Sequence, residues 1–105
     1  MISEGKTKPK KLASVLDTIK KCIESGRYVL SKHALDRQNE REISLPETLH
    51  VLKNGYEEKG KTCFDMDKNS WKYAIRGKTI RRVDVRVIIS FDEDDMLIIN
   101  VIKIG

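Results

Sequence analysis

Three side chains that could bind an anion recur at four-residue steps in the segment "SKHALDRQNERE", residues 31–42. They are His33, Arg37 and Arg41, and on a helix they would spread over about 80° of one surface and about 12 Å of its axis. Like charges at this spacing repel by about 0.2–0.5 kcal/mol. A bound phosphate would relieve that repulsion, since arginine is a bidentate phosphate ligand and histidine can exchange a proton near neutral pH. The stripe therefore predicts an anion site. The alternative is structural: Arg37 pairs with Glu40, His33 caps the helix or pairs with Asp36, and the Arg41 stem packs on a sheet edge.

A second group of cations lies in the C-terminal half, interleaved with two aromatic residues. The cations are Lys72, Arg76, Lys78, Arg81, Arg82 and Arg86, and the rings are Trp71 and Tyr73. Single-stranded RNA is commonly held in this way, because the charges follow its backbone and the rings stack on its bases. The alternative is a solvated sheet face whose two rings lie partly in the core.

Neither a metal site nor a cofactor site is predicted. His33 and His50 lie far apart in the chain with no cysteine pair beside them. The acidic run Asp92–Asp95 lacks the glycine and the spacing of a calcium-binding loop, so it is interpreted as the turn of a hairpin. No phosphate-binding glycine loop or dinucleotide-binding turn is present in the sequence.

Composition narrows the class of protein further. The formal net charge is +5, which favours a polyanionic partner. There is no run of about 18 apolar residues and no apolar leader, so neither a membrane span nor a secretion signal is predicted. Cys22 and Cys63 are widely separated, so a disulfide framework is not expected and the reducing cytoplasm is the predicted location.

The helices that position these residues can be predicted from the spacing of apolar residues and from capping residues. Residues 1–11 are predicted to be a flexible basic tail and residues 12–105 a single domain. Helical spacing from Leu12 predicts a helix that Gly26 terminates. Ser31 is a predicted N-cap for a helix over Lys32–Arg41, and "SLPE", residues 44–47, predicts a capping box for a helix ending near Asn54.

The second half of the chain predicts strands. "SWKYAIRG" and "VDVRVIISF" alternate, and "MLIINVIKI" is apolar at nearly every position, which favours a central position in a sheet. The "RYVL" segment before Ser31 is either a brief strand or an extended lead-in. The predicted fold is α+β, with N-terminal helices packed on one antiparallel β-sheet of three to four strands.

The segment "SKHALDRQNEREISLPETLHVLKNG", followed by "WKYAIRG" and "VRVIISFDEDDMLIINVI", resembles the bacterial domain of unknown function DUF4258 over about residues 28–102. That family shows S-x-H-A-x-x-R-x-x-E-R-x-I, a short helix ending in glycine, and three strands. Here Glu42 stands where the family usually has a glycine. In size and in the order of helices then sheet, its members look like the small RelE-like and MqsR-like ribonuclease toxins, which is an analogy of fold only.

Two functions from different classes are compatible with these residues. The first is a small cytoplasmic RNA-binding protein that cleaves RNA without a metal, as a toxin paired with an antitoxin protein. In it, His33 is the acid–base group, Arg37, Arg41 and Arg76 stabilise charge on the phosphorus, and Tyr73 is a second proton donor or a stacking ring. Trp71 and the cations at 72, 78, 81, 82 and 86 would contact the RNA. The alternative from another class is a non-catalytic interaction module that binds an acidic protein, and a nucleic-acid binder that does no chemistry is an option between the two.

Overall fold

The computed structural model describes residues 8–93 and 95–105, which form three helices and six strands. The helices are α1 (Val15–Glu24), α2 (Lys32–Arg41) and α3 (Leu45–Asn54). The strands are β1 (Tyr28–Leu30), β2 (Tyr56–Glu57), β3 (Cys63–Asp65), β4 (Ser70–Lys78), β5 (Asp84–Asp92) and β6 (Asp95–Lys103), and a 3-10 turn spans Lys59–Lys61. The predicted α+β class is confirmed.

Serine caps begin α2 and α3 where the sequence predicts them. The Ser31 hydroxyl accepts a hydrogen bond from the Ala34 N–H at 3.0 Å, and Ser44 and Glu47 form a complete capping box. Each cap satisfies N–H groups that have no partner within the helix. Both caps span only three residues, and Ser31 is held in addition by β6, where its hydroxyl donates to the Ile99 carbonyl at 3.0 Å.

The first helix begins three residues later than its apolar spacing predicts. The Leu12 N–H donates to the Tyr73 hydroxyl at 2.9 Å, so this part of the chain runs along the sheet before Val15 starts the helix. At the other end, Gly26 has a φ of 73°, the left-handed conformation that glycine favours after a helix. Of the predicted tail, residues 1–7 lie outside the described residues.

Glu42 ends α2 in a conformation that usually belongs to glycine. Its φ is 57° and its ψ is 42°, which costs a residue with a Cβ atom roughly 1–2 kcal/mol. The Glu42 carbonyl accepts a hydrogen bond from Arg81 Nη2 at 2.9 Å, which ties the turn to the β4–β5 connection. The turn after α2 therefore adopts a glycine-like shape although the glycine is absent.

The sheet has the order β1-β6-β5-β4-β2, with β3 also pairing with β4. Its pairs are antiparallel except for β1, which runs parallel to β6. The sequence predicts three to four strands and the structure has six among the described residues. The short strands β2 and β3 have only two and three residues, so they show no periodicity. The central position predicted for β6 is confirmed, since it lies between β1 and β5.

The helices cover one face of the sheet, where a single core forms. Ile19 of α1, Leu52 of α3 and Ile98 of β6 are fully buried members of it. Helices α2 and α3 are also joined by a buried hydrogen bond, in which the Thr48 hydroxyl donates to Gln38 Oε1 at 2.7 Å. Among the residues that the structure describes, no helix is long and apolar enough to cross a membrane.

Candidate nucleic-acid interface

Strand alternation places four of the predicted cations on the face of the sheet opposite the helices, here called the open face. Lys72, Arg76 and Lys78 alternate along β4 with the core residues, and Arg86 lies directly opposite Arg76 in the β4–β5 register. Successive side chains of a strand point to opposite faces, and paired residues point to the same one. These four residues of the predicted cluster therefore lie together on one face of the sheet.

The same alternation puts the two predicted stacking rings on the other face. Tyr73 is 3% exposed, and its ring packs edge-on against Phe91 with centroids 5.9 Å apart. Trp71 donates its indole N–H to the Pro9 carbonyl at 2.8 Å, and Lys8 Nζ lies 4.6 Å from its ring centroid. Both rings thus lie on the helix side of the sheet, against the segment that precedes α1, and are separated from the open-face cations.

Arg76 and Arg86 share one carboxylate on the open face. Glu58 Oε1 accepts from Arg86 Nε at 2.6 Å, and Glu58 Oε2 accepts from Arg76 Nη1 at 3.2 Å. Arg76 also donates from Nε and Nη2 to Asp84, at 3.1 and 2.7 Å. All four side chains are less than a third exposed, so this is a partly buried network of two cations and two anions.

The arginines hold the pKa of both carboxyls below their usual values. For Glu58 the hydrogen bond from Arg86 is the main cause of the lower pKa, and partial burial opposes it. For Asp84 the hydrogen bond from Arg76 is the main cause of the lower pKa. Both groups are therefore ionised at neutral pH, and neither is a strong base.

Besides Arg76 and Arg86, the predicted cations lie towards the two ends of β4 and in the connection between β4 and β5. Lys72 pairs with Asp65 at 3.1 Å, and Lys78 is exposed at the end of β4. Arg81 and Arg82 lie in the β4–β5 connection, where Arg81 Nε donates to Glu47 at 2.7 Å and Arg82 is exposed with a φ of 71°.

The α2 stripe is exposed and is partly neutralised by a residue of its own helix. Arg37 Nη1 donates to Glu40 Oε1 at 2.6 Å, and Arg41 lies 3.9 Å from the same oxygen, which offsets the repulsion along the stripe. The His33 ring is exposed and makes no hydrogen bond or ion pair with the described part of the chain. The stripe lies on a helix of the covered face, so the structure does not join it to Arg76 or Tyr73.

Two residues of the open face were missed by sequence reasoning. Tyr56 pairs with Arg76 in the β2–β4 register and is 55% exposed. Glu58 follows two residues later. Tyr56 and Glu58 follow Gly55 closely, and their sequence shows no strand periodicity. The pairing of the two-residue β2 with β4 brings them to the cations.

A cavity of about 550 Å³ opens on the same face and extends from Val29 of β1 to Ser70 and Lys72 of β4. Apolar side chains, Val29, Leu97 and Ile99, form one part of its lining. Polar groups that include Ser31, Lys68 and Lys72 form another part. Such a mixture can accommodate a flat, partly apolar group that carries a negative charge.

Within residues 8–93 and 95–105, no group of three or more His, Cys, Asp or Glu side chains could hold a metal ion. A family model for the domain of unknown function DUF4258 matches residues 30–103, close to the range over which the sequence shows the resemblance. No curated protein matches the chain.

Proposed function

The chain belongs to the domain of unknown function DUF4258 family, and we propose from its own residues that it binds single-stranded RNA on the open face. The observation that carries the proposal is the placement of Lys72, Arg76, Lys78 and Arg86 on one helix-free face. Tyr56 supplies an exposed ring beside Arg76, in the role that Trp71 and Tyr73 were expected to fill. Stacking on such rings and ion contacts to phosphates are how single strands are held without a metal.

The cavity supports the same proposal. Its apolar lining suits the face of a base, and Lys68 and Lys72 at its margin suit the adjoining phosphates. Lys72, in the cavity lining, and Arg76 lie four residues apart on β4, so a strand of several nucleotides could run from the cavity along β4 and β5 to Arg76 and Arg86. In this proposal the protein acts in the cytoplasm and needs no metal or cofactor.

The salt dependence of RNA affinity tests this proposal. Each phosphate neutralised by the protein contributes about −0.7 to the slope of log affinity against log salt. Lys78→Gln is expected to weaken binding of a single-stranded oligouridylate and to reduce that slope by about 0.7. Lys53→Gln, at an exposed position on α3, makes the same charge change away from the open face and should leave the slope unaltered. A slope near zero for the unmodified protein would remove the proposal.

RNA cleavage is a second, separate proposal. The exposed ring of His33, which has no hydrogen-bond or ion-pair partner among the described residues, favours it. His33 is the second residue of α2 and follows Ser31, which lines the cavity, so the cleavage proposal requires an RNA strand that leaves the cavity at Ser31 and continues onto α2. The ring would take the proton of a 2′-hydroxyl as that oxygen attacks phosphorus, and the bond to the 5′-oxygen would break as water protonates it. Arg37 and Arg41 would stabilise the added charge. A toxin of this kind would have an antitoxin protein as its partner.

The His33→Ala variant tests the cleavage proposal. Cleavage should fall by about 10²–10⁴-fold, as expected for a lost acid–base group. The melting temperature should hardly change, because exposed substitutions usually alter stability by less than about 0.5 kcal/mol. His50→Ala, at the other histidine, is the matched control. If the unmodified protein cuts no RNA while it still binds RNA, cleavage is excluded. If it does neither, both RNA proposals fail, and an interaction module for an acidic partner becomes the hypothesis to test.

A further inference from the structure

Arg76 and Arg86 occupy positions at which two cations destabilise a sheet. They lie directly opposite each other on the open face, where side chains approach to about 4.5–5.5 Å at Cβ and like charges repel. Glu58 removes this repulsion by accepting hydrogen bonds from both guanidinium groups, at 2.6 Å from Arg86 and 3.2 Å from Arg76. The two arginines therefore form a site for one anion, and Glu58 occupies it.

The backbone around Glu58 does not depend on its side chain. The Glu58 N–H donates to the Ala74 carbonyl at 2.8 Å, and its own carbonyl accepts from the N–H groups of Lys61 and Thr62. Arg76 is held independently by its two hydrogen bonds to Asp84. The Glu58 carboxylate can thus rotate away while the segment and the Arg76 guanidinium stay in place.

Charge and geometry both match a phosphodiester. Two arginines and two carboxylates balance while Glu58 is bound, and the departure of its carboxylate leaves the remaining three groups with an excess of one positive charge. A guanidinium group binds carboxylate and phosphate through the same parallel hydrogen bonds. Tyr56 lies beside Arg76 and is exposed, so the base attached to a bound phosphate would have a ring on which to stack.

We propose that a phosphodiester of the RNA backbone displaces Glu58 and binds between Arg76 and Arg86. Glu58 is then a built-in competitor that closes the site until a strand supplies further contacts. This inference rests on the proposed RNA binding and identifies the group that the site takes. A free phosphate ion has the same chemistry but lacks the neighbouring contacts, so it would compete with Glu58 less well than RNA does.

Glu58→Gln tests the competition, because glutamine keeps the shape of the side chain and removes its charge. Affinity for a single-stranded oligouridylate should rise roughly tenfold, since the charged competitor for the arginines is lost. Glu24→Gln, at an exposed position on α1, makes the same change in net charge away from the site and should alter affinity by less than about twofold. Adding Arg86→Gln to Glu58→Gln should abolish the gain.

Thermal melting in sodium phosphate and in sodium chloride of equal ionic strength gives a readout without RNA. Phosphate should raise the melting temperature of the Glu58→Gln variant more than that of Glu24→Gln. If RNA binds but the two variants match in affinity and in phosphate response, Glu58 is only a structural partner and the inference is wrong. If phosphate stabilises Glu58→Gln while no variant binds RNA, the anion site stands and RNA binding fails. Should Glu58→Gln not fold, Glu58→Asp replaces it, with an intermediate gain in affinity expected and no gain contradicting the inference.

Discussion

At the scale of single residues, Glu47 connects a helix end to a distant part of the chain. Its carboxylate accepts from the Ser44 N–H at 3.0 Å within the capping box and from Arg81 Nε at 2.7 Å. The hydrogen bond from Arg81 is the main cause that lowers its pKa to about 2, and the Ser44 N–H adds to it. Folding therefore favours the ionised form of Glu47.

This shift predicts a loss of stability in acid. Because the pKa of Glu47 is about 2 in the folded protein against 4.5 for an ordinary glutamate, its contribution is present above about pH 4.5 and disappears as the pH falls towards about 2. We expect about 1–2 kcal/mol, reduced from the full shift because Arg81 is largely exposed and solvent screens the pair. Glu47→Gln keeps the capping box but loses this contribution.

Urea unfolding at several pH values between about 5 and about 2 measures the contribution of Glu47 to stability, because stability depends on proton uptake over that range. The unmodified protein should lose about 1–2 kcal/mol more than Glu47→Gln. Glu40→Gln breaks a more exposed ion pair with Arg37 and should follow the unmodified protein to within about 0.5 kcal/mol. Equal losses in all three would show that Glu47 is not coupled to folding.

At the scale of elements, the sequence predicts what local contacts determine. Ser31 and Ser44 fix α2 and α3 through bonds to residues three positions away, so both starts are readable from the sequence. Glu58 and Arg76 are 18 residues apart and meet only because β2 and β4 pair. A two-residue strand has no periodicity to recognise, so the places of Tyr56 and Glu58 in the candidate site could be learned only from the structure.

The contact between α3 and β4 depends on Gly55, which closes the helix. A Cβ atom there would lie 2.4 Å from the Arg76 carbonyl oxygen and 2.6 Å from that of Val51, and both are backbone atoms that cannot move aside. Gly55→Ala should therefore lower the free energy of unfolding by about 1–3 kcal/mol or more, as overpacking does. It should also weaken RNA binding, because Arg76 is displaced with its carbonyl.

Thermal and urea unfolding of Gly55→Ala check the stability change, with Gly60→Ala as the control. A Cβ atom at Gly60 has nothing within 4 Å, so that variant should match the unmodified protein or gain up to about 1 kcal/mol from a less flexible unfolded chain. Identical stability of the two variants would mean that α3 does not press on β4 as described.

At the scale of the whole molecule, the folded unit is larger than the family match. The match begins at residue 30, yet Val15, Ile19 and Cys22 of α1 are buried in the common core. Ile19→Ala should therefore cost about 2–5 kcal/mol of stability, measured by urea unfolding. Lys20→Ala, at the exposed neighbouring position, should change stability by less than about 0.5 kcal/mol. No loss on Ile19→Ala would make α1 an appendage of the domain.

The central place of β6 has a consequence for how the protein is made. β6 lies between β1 and β5 and packs beneath α2. It is synthesised after all three of these elements. Until then, β1 has no partner strand among those described, and the buried side of α2 lacks the strand that it packs on most. A product that stops after β5 would expose one edge of that strand together with apolar surface, and such species aggregate or attract chaperones. The sheet can therefore assemble correctly only after β6 has been synthesised.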